Sequence, residues 1–179
     1  MSARQELPAG AFVRDLLPHG DDRGVLTELY RADWGSLPVP NQWNLVRSSP
    51  NALRGVHIHQ EHEDYLIVLE GTMLLGLHDL RKDQPTYGRS ALVELRGEKL
   101  QAAFVPIGVL HGFYFAEAAT YVYGLTRCWT PADDLGCRWN DPDLELAWPV
   151  KKPLLSERDA KAPSLADLKK LLAAQGRAP

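Results

Sequence analysis

The sequence predicts an all-β sandwich or barrel closed by a C-terminal helix. Three observations carry this. The segments rich in apolar, aromatic and β-branched residues are short. Pro, Gly and charged turn signals separate them at close intervals. A helical apolar stripe stands out only in the tail. At 179 residues the chain is long enough for one domain with a sizeable core. The whole of 1–179 reads as that domain, with the barrel over about 12–148 and the tail and helix over about 149–176.

Taken in order, HGDDRG (19–24) is turn-like, and GVLTELYRA after it partly alternates apolar and polar residues. DYLIVLEGTMLLGLHDL (64–80) reads as a hairpin, with arms at 65–69 and 73–77 and a turn at Glu70-Gly71. RKDQPTYG is a loop by its Pro, Gly and charges. QAAFVPIGVLHGFYF gives a strand, a Pro-Gly turn and a second strand. TYVYGLTRCW reads as a late strand. In PSLADLKKLLAAQG, Ser164 suits an N-cap with Asp167 three residues on. Leu165, Leu168, Leu171 and Leu172 form one stripe, and Gly176 marks the stop.

The totals narrow the function classes. A formal net charge of -3 gives no basic field for nucleic acid. No apolar run reaches the length of a membrane span, and MSARQELPAGAF lacks the apolar core of a signal peptide, so a cytoplasmic location is expected. The two cysteines, Cys128 and Cys137, suit a reducing compartment better than a disulfide framework.

RGVHIHQEHEDYL (54–66) concentrates three of the six histidines among carboxylates. Two chemistries are open to it. On a strand, His57 and His59 share a face, and with Glu63 and the later His111 they make a three-histidine, one-carboxylate set suited to a first-row metal. The spacing resembles the paired motifs of metal-binding cupins. Alternatively one histidine is a general base, since its pKa lies near working pH. A base needs an orienting carboxylate, a facing acid and groups for an anionic substrate. Asp159, Tyr123, Arg23 and Arg54 are candidates for those tasks.

Six segments in order, GDDRGVLTELY, SSPNALRGVH, LHDLRKDQPTYG, VPIGVLHGFYF, RWNDPDLELAWP and LLSERDAKAP, resemble the dTDP-4-dehydrorhamnose 3,5-epimerase family. The resemblance spans about 20–164. It implies a cupin double-stranded β-helix (jelly-roll barrel) and no metal or other cofactor. It implies epimerisation of a nucleotide-linked 4-keto-6-deoxyhexose at C3, C5 or both. A base removes a proton next to the ketone, and an acid returns one to the other face.

Carried over onto this chain, the resemblance makes His57 the base, Asp159 its hydrogen-bonding partner and Tyr123 the acid. His111 lines the pocket. Arg23 and Arg54 hold the sugar-nucleotide phosphates. Glu28 and Gln42 contact the nucleotide, with Asn44 nearby. The family is usually homodimeric with swapped N-terminal strands, so a homodimer is implied. Two positions depart from the pattern. Asp64 stands where the family has a lysine, and Cys128-Trp129 replaces an aromatic pair, leaving Trp129 to cover the sugar or base. Both bear on whether one or two centres are inverted, and the lost lysine leaves a non-catalytic sugar-nucleotide-binding cupin as the alternative to an enzyme.

Overall fold

A computed structural model describes residues 6–34 and 38–176. The ends of the 1–179 domain reading therefore lie outside the described residues. Two five-stranded antiparallel sheets face each other. The first has the order β1 (Phe12–Asp15), β9 (Gln101–Val105), β6 (Asp64–Glu70), β11 (Ala119–Leu125), β4 (Gln42–Ser48). The second runs β12 (Leu135–Gly136), β5 (Ala52–Ile58), β10 (Val109–Phe115), β7 (Thr72–Asp79), β8 (Ser90–Arg96). A two-stranded ribbon, β2 (Pro18–Asp21) with β3 (Gly24–Thr27), stands apart from both. This is the expected all-β jelly roll.

The alternation of side chains assigns the layers. Leu66 and Val68 of β6 point between the sheets with Leu75, Leu77, Phe113, Phe115 and Tyr121. Tyr65 and Ile67, one step out of phase, pack on the outer face with Leu16 and Ala102. Both faces of β6 are covered, so it reads as an unbroken apolar run. On β5, Val56 and Ile58 face outward to meet Leu165, Leu168 and Leu172 of the last helix.

The expected hairpin at 64–80 is a correction. β6 and β7 do not pair with each other; they belong to opposite sheets, and Gly71 between them carries φ 74°. A two-residue hairpin would have kept both arms in one sheet. This chain instead crosses the sandwich. β9 and β10 likewise lie in different sheets. Their Pro-Gly turn forms as expected: Val109 N donates to the Pro106 carbonyl at 3.3 Å, and Gly108 has φ 79°.

Helix α2 (Leu165–Ala174) starts at Ser164, whose hydroxyl accepts from Asp167 N at 3.1 Å. Its stripe is narrower than expected: Leu165, Leu168 and Leu172 are buried, whereas Leu171 is exposed. A four-residue helix, α1 (Glu157–Ala160), was not legible in the sequence. It is fixed from two sides. Leu53 N donates to Leu154 O at 2.9 Å, stitching the tail to β5, and Ser156 caps the helix by accepting from Asp159 N. Among the described residues no helix is long and apolar enough to cross a membrane.

Candidate active site

A cavity of about 630 Å³ opens between the sheets. The second sheet contributes Arg54 and His57 from β5 and His111 and Phe113 from β10, and His59 follows just past the end of β5. The first contributes Asp64 from β6 and Tyr121, Tyr123 and Leu125 from β11. Trp129, Asp134, Arg158 and Asp159 come from the chain beyond the barrel strands.

His57 and Asp159 form a close pair, Nε2 to Oδ1 at 2.7 Å, across 102 residues of sequence. Gly55 N donates to the other carboxylate oxygen at 3.3 Å. Burial alone would raise Asp159. The His57 hydrogen bond and charge, the Ser156 hydroxyl and the Gly55 amide outweigh it and hold the carboxyl at about 2. Asp159 is therefore ionised and fixes the imidazole proton on Nε2. Nδ1 is left with the lone pair of a base. Arg158 packs against the ring, its Nη2 2.5 Å from Nε2 and 3.2 Å from Nδ1, while its Nη1 ion-pairs with Asp134. Asp134 lies 3.9 Å from His57 Nδ1. Burial pushes Asp134 upward, but His57 and Arg158 pull it below the ordinary range.

Tyr123 belongs to the opposite sheet. Burial first, and then the Asp64 charge, raise its phenol against a lowering by Arg54. It therefore keeps its proton at neutral pH and can donate it. Arg54 is anchored by Nε to the Ser48 hydroxyl at 3.2 Å. Arg47 lines the same cavity and adds a second cation that the sequence did not single out.

The floor is built from His59, His62, His111 and Asp64, all buried. Burial drives His111 well below its ordinary value, and burial with His59 brings His62 to about 4. Burial pushes Asp64 up to about 6, the nearby carboxylates adding to this and His59 offsetting part.

The structure corrects several expectations. Glu63 does not line the cavity; it accepts a hydrogen bond from the Thr126 hydroxyl. The clustered set is His59, His62 and Asp64, while His57 is tied to Asp159. Neighbouring strand residues face opposite ways, so with Asp64 turned inward Glu63 is directed elsewhere. Arg23 sits at the tip of the β2–β3 ribbon, 90% exposed and paired with Asp21. Glu28 pairs with Arg31. Neither lines this cavity. Gln42 acts from behind: its Oε1 accepts from Trp129 N at 2.9 Å and its Nε2 donates to Asn44 at 3.1 Å. Trp129 stands at the rim, its indole donating to Asp134 at 3.1 Å.

A jelly-roll cavity that sets a carboxylate-held histidine on one sheet across from a half-buried tyrosine on the other has the fold of a cupin and groups suited to moving protons. The family model described as dTDP-4-dehydrorhamnose 3,5-epimerase matches residues 6–167, and the chain belongs to that family. The dTDP-4-dehydrorhamnose 3,5-epimerase of Pseudomonas aeruginosa is 34% identical over 157 residues, covering 83% of this chain and 87% of the relative. A dTDP-4-dehydro-6-deoxyglucose 3-epimerase of Streptomyces bikiniensis is also 34% identical, over 173 residues, covering 90% and 88%. Among solved structures, a Mycobacterium tuberculosis epimerase superposes with TM-score 0.86 at 30% identity, covering 100% of this chain and 94% of that one. A 3'-monoepimerase from Streptomyces bikiniensis in complex with dTDP-quinovose superposes at 0.84 with 29% identity, covering 99% and 92%.

Proposed function

We propose that this cavity epimerises a nucleotide-linked 4-keto-6-deoxyhexose at C3, C5 or both. The observation that carries the reading is the His57–Asp159 dyad facing Tyr123 from the other sheet. Nδ1 of His57 takes the proton from the carbon next to the ketone, which leaves an enolate. Asp159 stabilises the imidazolium, as the carboxylate of a catalytic triad does. Tyr123 delivers a proton to the opposite face, so one proton leaves, one arrives and the configuration inverts. Arg54 and Arg47 supply cations for the diphosphate. His111 lines the floor beneath the sugar and Trp129 covers it at the rim.

Arg23 and Glu28 enter this reading only through a second chain. We place them, with the β2–β3 ribbon, at the cavity of a partner in a homodimer. The free thiols of Cys128 and Cys137 accord with a cytoplasmic site of action.

The test is solvent deuterium incorporation into dTDP-4-keto-6-deoxyglucose, followed by NMR. Wild type should exchange the C3 proton, the C5 proton or both. His57→Ala should abolish exchange while nucleotide binding persists. Tyr123→Phe should permit exchange but impair inversion, a loss of about 10²–10⁴-fold for a removed acid. Undiminished exchange in His57→Ala would sink the mechanism.

A further inference from the structure

The floor of the cavity sets buried lone pairs against one another. His59 Nδ1 lies 2.9 Å from the main-chain oxygen of Asp133. His62 Nδ1 lies 2.9 Å from the Asp133 carboxylate. His111 Nδ1 lies 3.3 Å from the Val109 carbonyl. A carbonyl or carboxylate oxygen can only accept, so each Nδ1 carries its ring's proton and each neutral ring offers a bare Nε2. Nε2 of His59 and of His111 then stand 3.7 Å and 3.5 Å from one oxygen of Asp64, which when ionised also only accepts. His62 is 2% exposed, lines the cavity, and its Nε2 has no hydrogen-bond partner among the described residues. Buried acceptors arranged face to face are costly unless something positive or a donor sits among them.

Two features make a metal ion the best occupant. Ligand histidines characteristically donate their other N–H to a carboxylate or carbonyl, and all three rings do so here. The spacing is also right. A first-row ion about 2.0–2.2 Å from each donor holds neighbouring donors roughly 2.8–3.8 Å apart, from right-angled to trigonal arrangements. The separations of 3.5 Å and 3.7 Å already fall in that interval, and the donor atoms of His59, His62 and Asp64 all lie within 4.8 Å of one another.

We propose that His59, His62 and Asp64, with His111 beside them, bind one divalent first-row transition-metal ion at the cavity floor. Imidazole and carboxylate donors suit zinc, iron, manganese, cobalt or nickel rather than calcium or magnesium. The site is distinct from the His57–Asp159 dyad, though His57 and His59 line the same cavity. The role of the ion in turnover rests on the epimerase reading, where it would supply a Lewis acid for an enolate oxygen. Binding itself does not depend on that reading.

The experiment is titration of the full, chelator-stripped protein with Co(II), read by equilibrium dialysis and visible absorption. One Co(II) per chain with the ligand-field bands of a nitrogen and oxygen site is expected. Asp64→Asn and His62→Gln should each weaken binding by at least about 10-fold, while His57→Ala should not. A wild-type protein that takes up no stoichiometric Co(II) overturns the proposal, leaving only a proton or water among the acceptors. So does unchanged affinity in both floor variants. The wild-type titration decides for or against the site even if a variant fails to fold. Stoichiometric Co(II) without deuterium exchange would support the site and count against the epimerase reading.

Discussion

Asp159 turns Oδ1 to His57 Nε2–H and Oδ2 to Gly55 N–H. Asn at this position offers one oxygen. Its amide nitrogen would face one of the two donors, and relief comes by moving the imidazole proton to Nδ1. The nitrogen proposed to act as base is then occupied. Asp159→Asn should lower the exchange rate by about 10²–10⁴-fold with little change in nucleotide affinity. The acid limb of stability should change as well. The folded pKa of about 2 lies below the unfolded value of about 3.9. The stabilisation is therefore present above about pH 4 and lost as pH falls through about 2. Wild type should lose stability across that window more steeply than Asp159→Asn in chemical denaturation. Equal slopes would show that the dyad contributes nothing to the fold. The sequence could nominate His57, Tyr123 and Asp159 because their short motifs survive intact. It could not nominate Asp134, Arg158 or Asp133, which look like ordinary loop charges until the tail folds over β5. Nor could it show that Asp64, not Glu63, turns inward, since that depends on where β6 begins.

At the scale of elements, strand existence was legible and strand partnership was not. Apolar runs and Pro-Gly turns located β6, β7, β9, β10 and β11 within a few residues. A single glycine between two apolar arms has the same local signature whether the chain reverses within one sheet or crosses to the other. Only the long-range pairs, β6 with β11 and β7 with β10, decide between them. Helix α1 escaped notice because four residues carry no period; its cap and the Leu53–Leu154 pairing hold it. The crossing gives a testable cost. Gly71 has φ 74°, and a Cβ there would run into the Ala118 carbonyl and crowd Ala119. Gly71→Ala should destabilise by roughly 1–3 kcal/mol in urea unfolding, through positive-φ strain and the clash together. A loss below about 0.5 kcal/mol would mean that the crossing relaxes freely and does not fix the spacing of the sheets.

At the scale of the whole molecule, one chain leaves part of its surface without an evident use. The β2–β3 ribbon belongs to neither five-stranded sheet, and it exposes Val25 and Leu26 beside exposed Leu17. Trp43 and Leu45 are exposed along β4, an edge strand of the first sheet. An apolar ribbon and an apolar edge left in water are expected to find a partner surface. If the ribbon lies across a second copy, Arg23 reaches the partner's cavity while His57 stays in its own. Mixing two inactive variants decides this. In a dimer of His57→Ala with Arg23→Ala, one cavity carries both substitutions and the other carries neither. Activity should then reappear when the two purified variants are unfolded together and refolded. If Arg23 serves the cavity of its own chain, every cavity in the mixture holds one lesion and activity stays absent. Sedimentation of the wild type should show a dimer in the same buffer. A monomer with full activity would remove Arg23 and Glu28 from the site and leave Arg54 and Arg47 to bind the diphosphate alone.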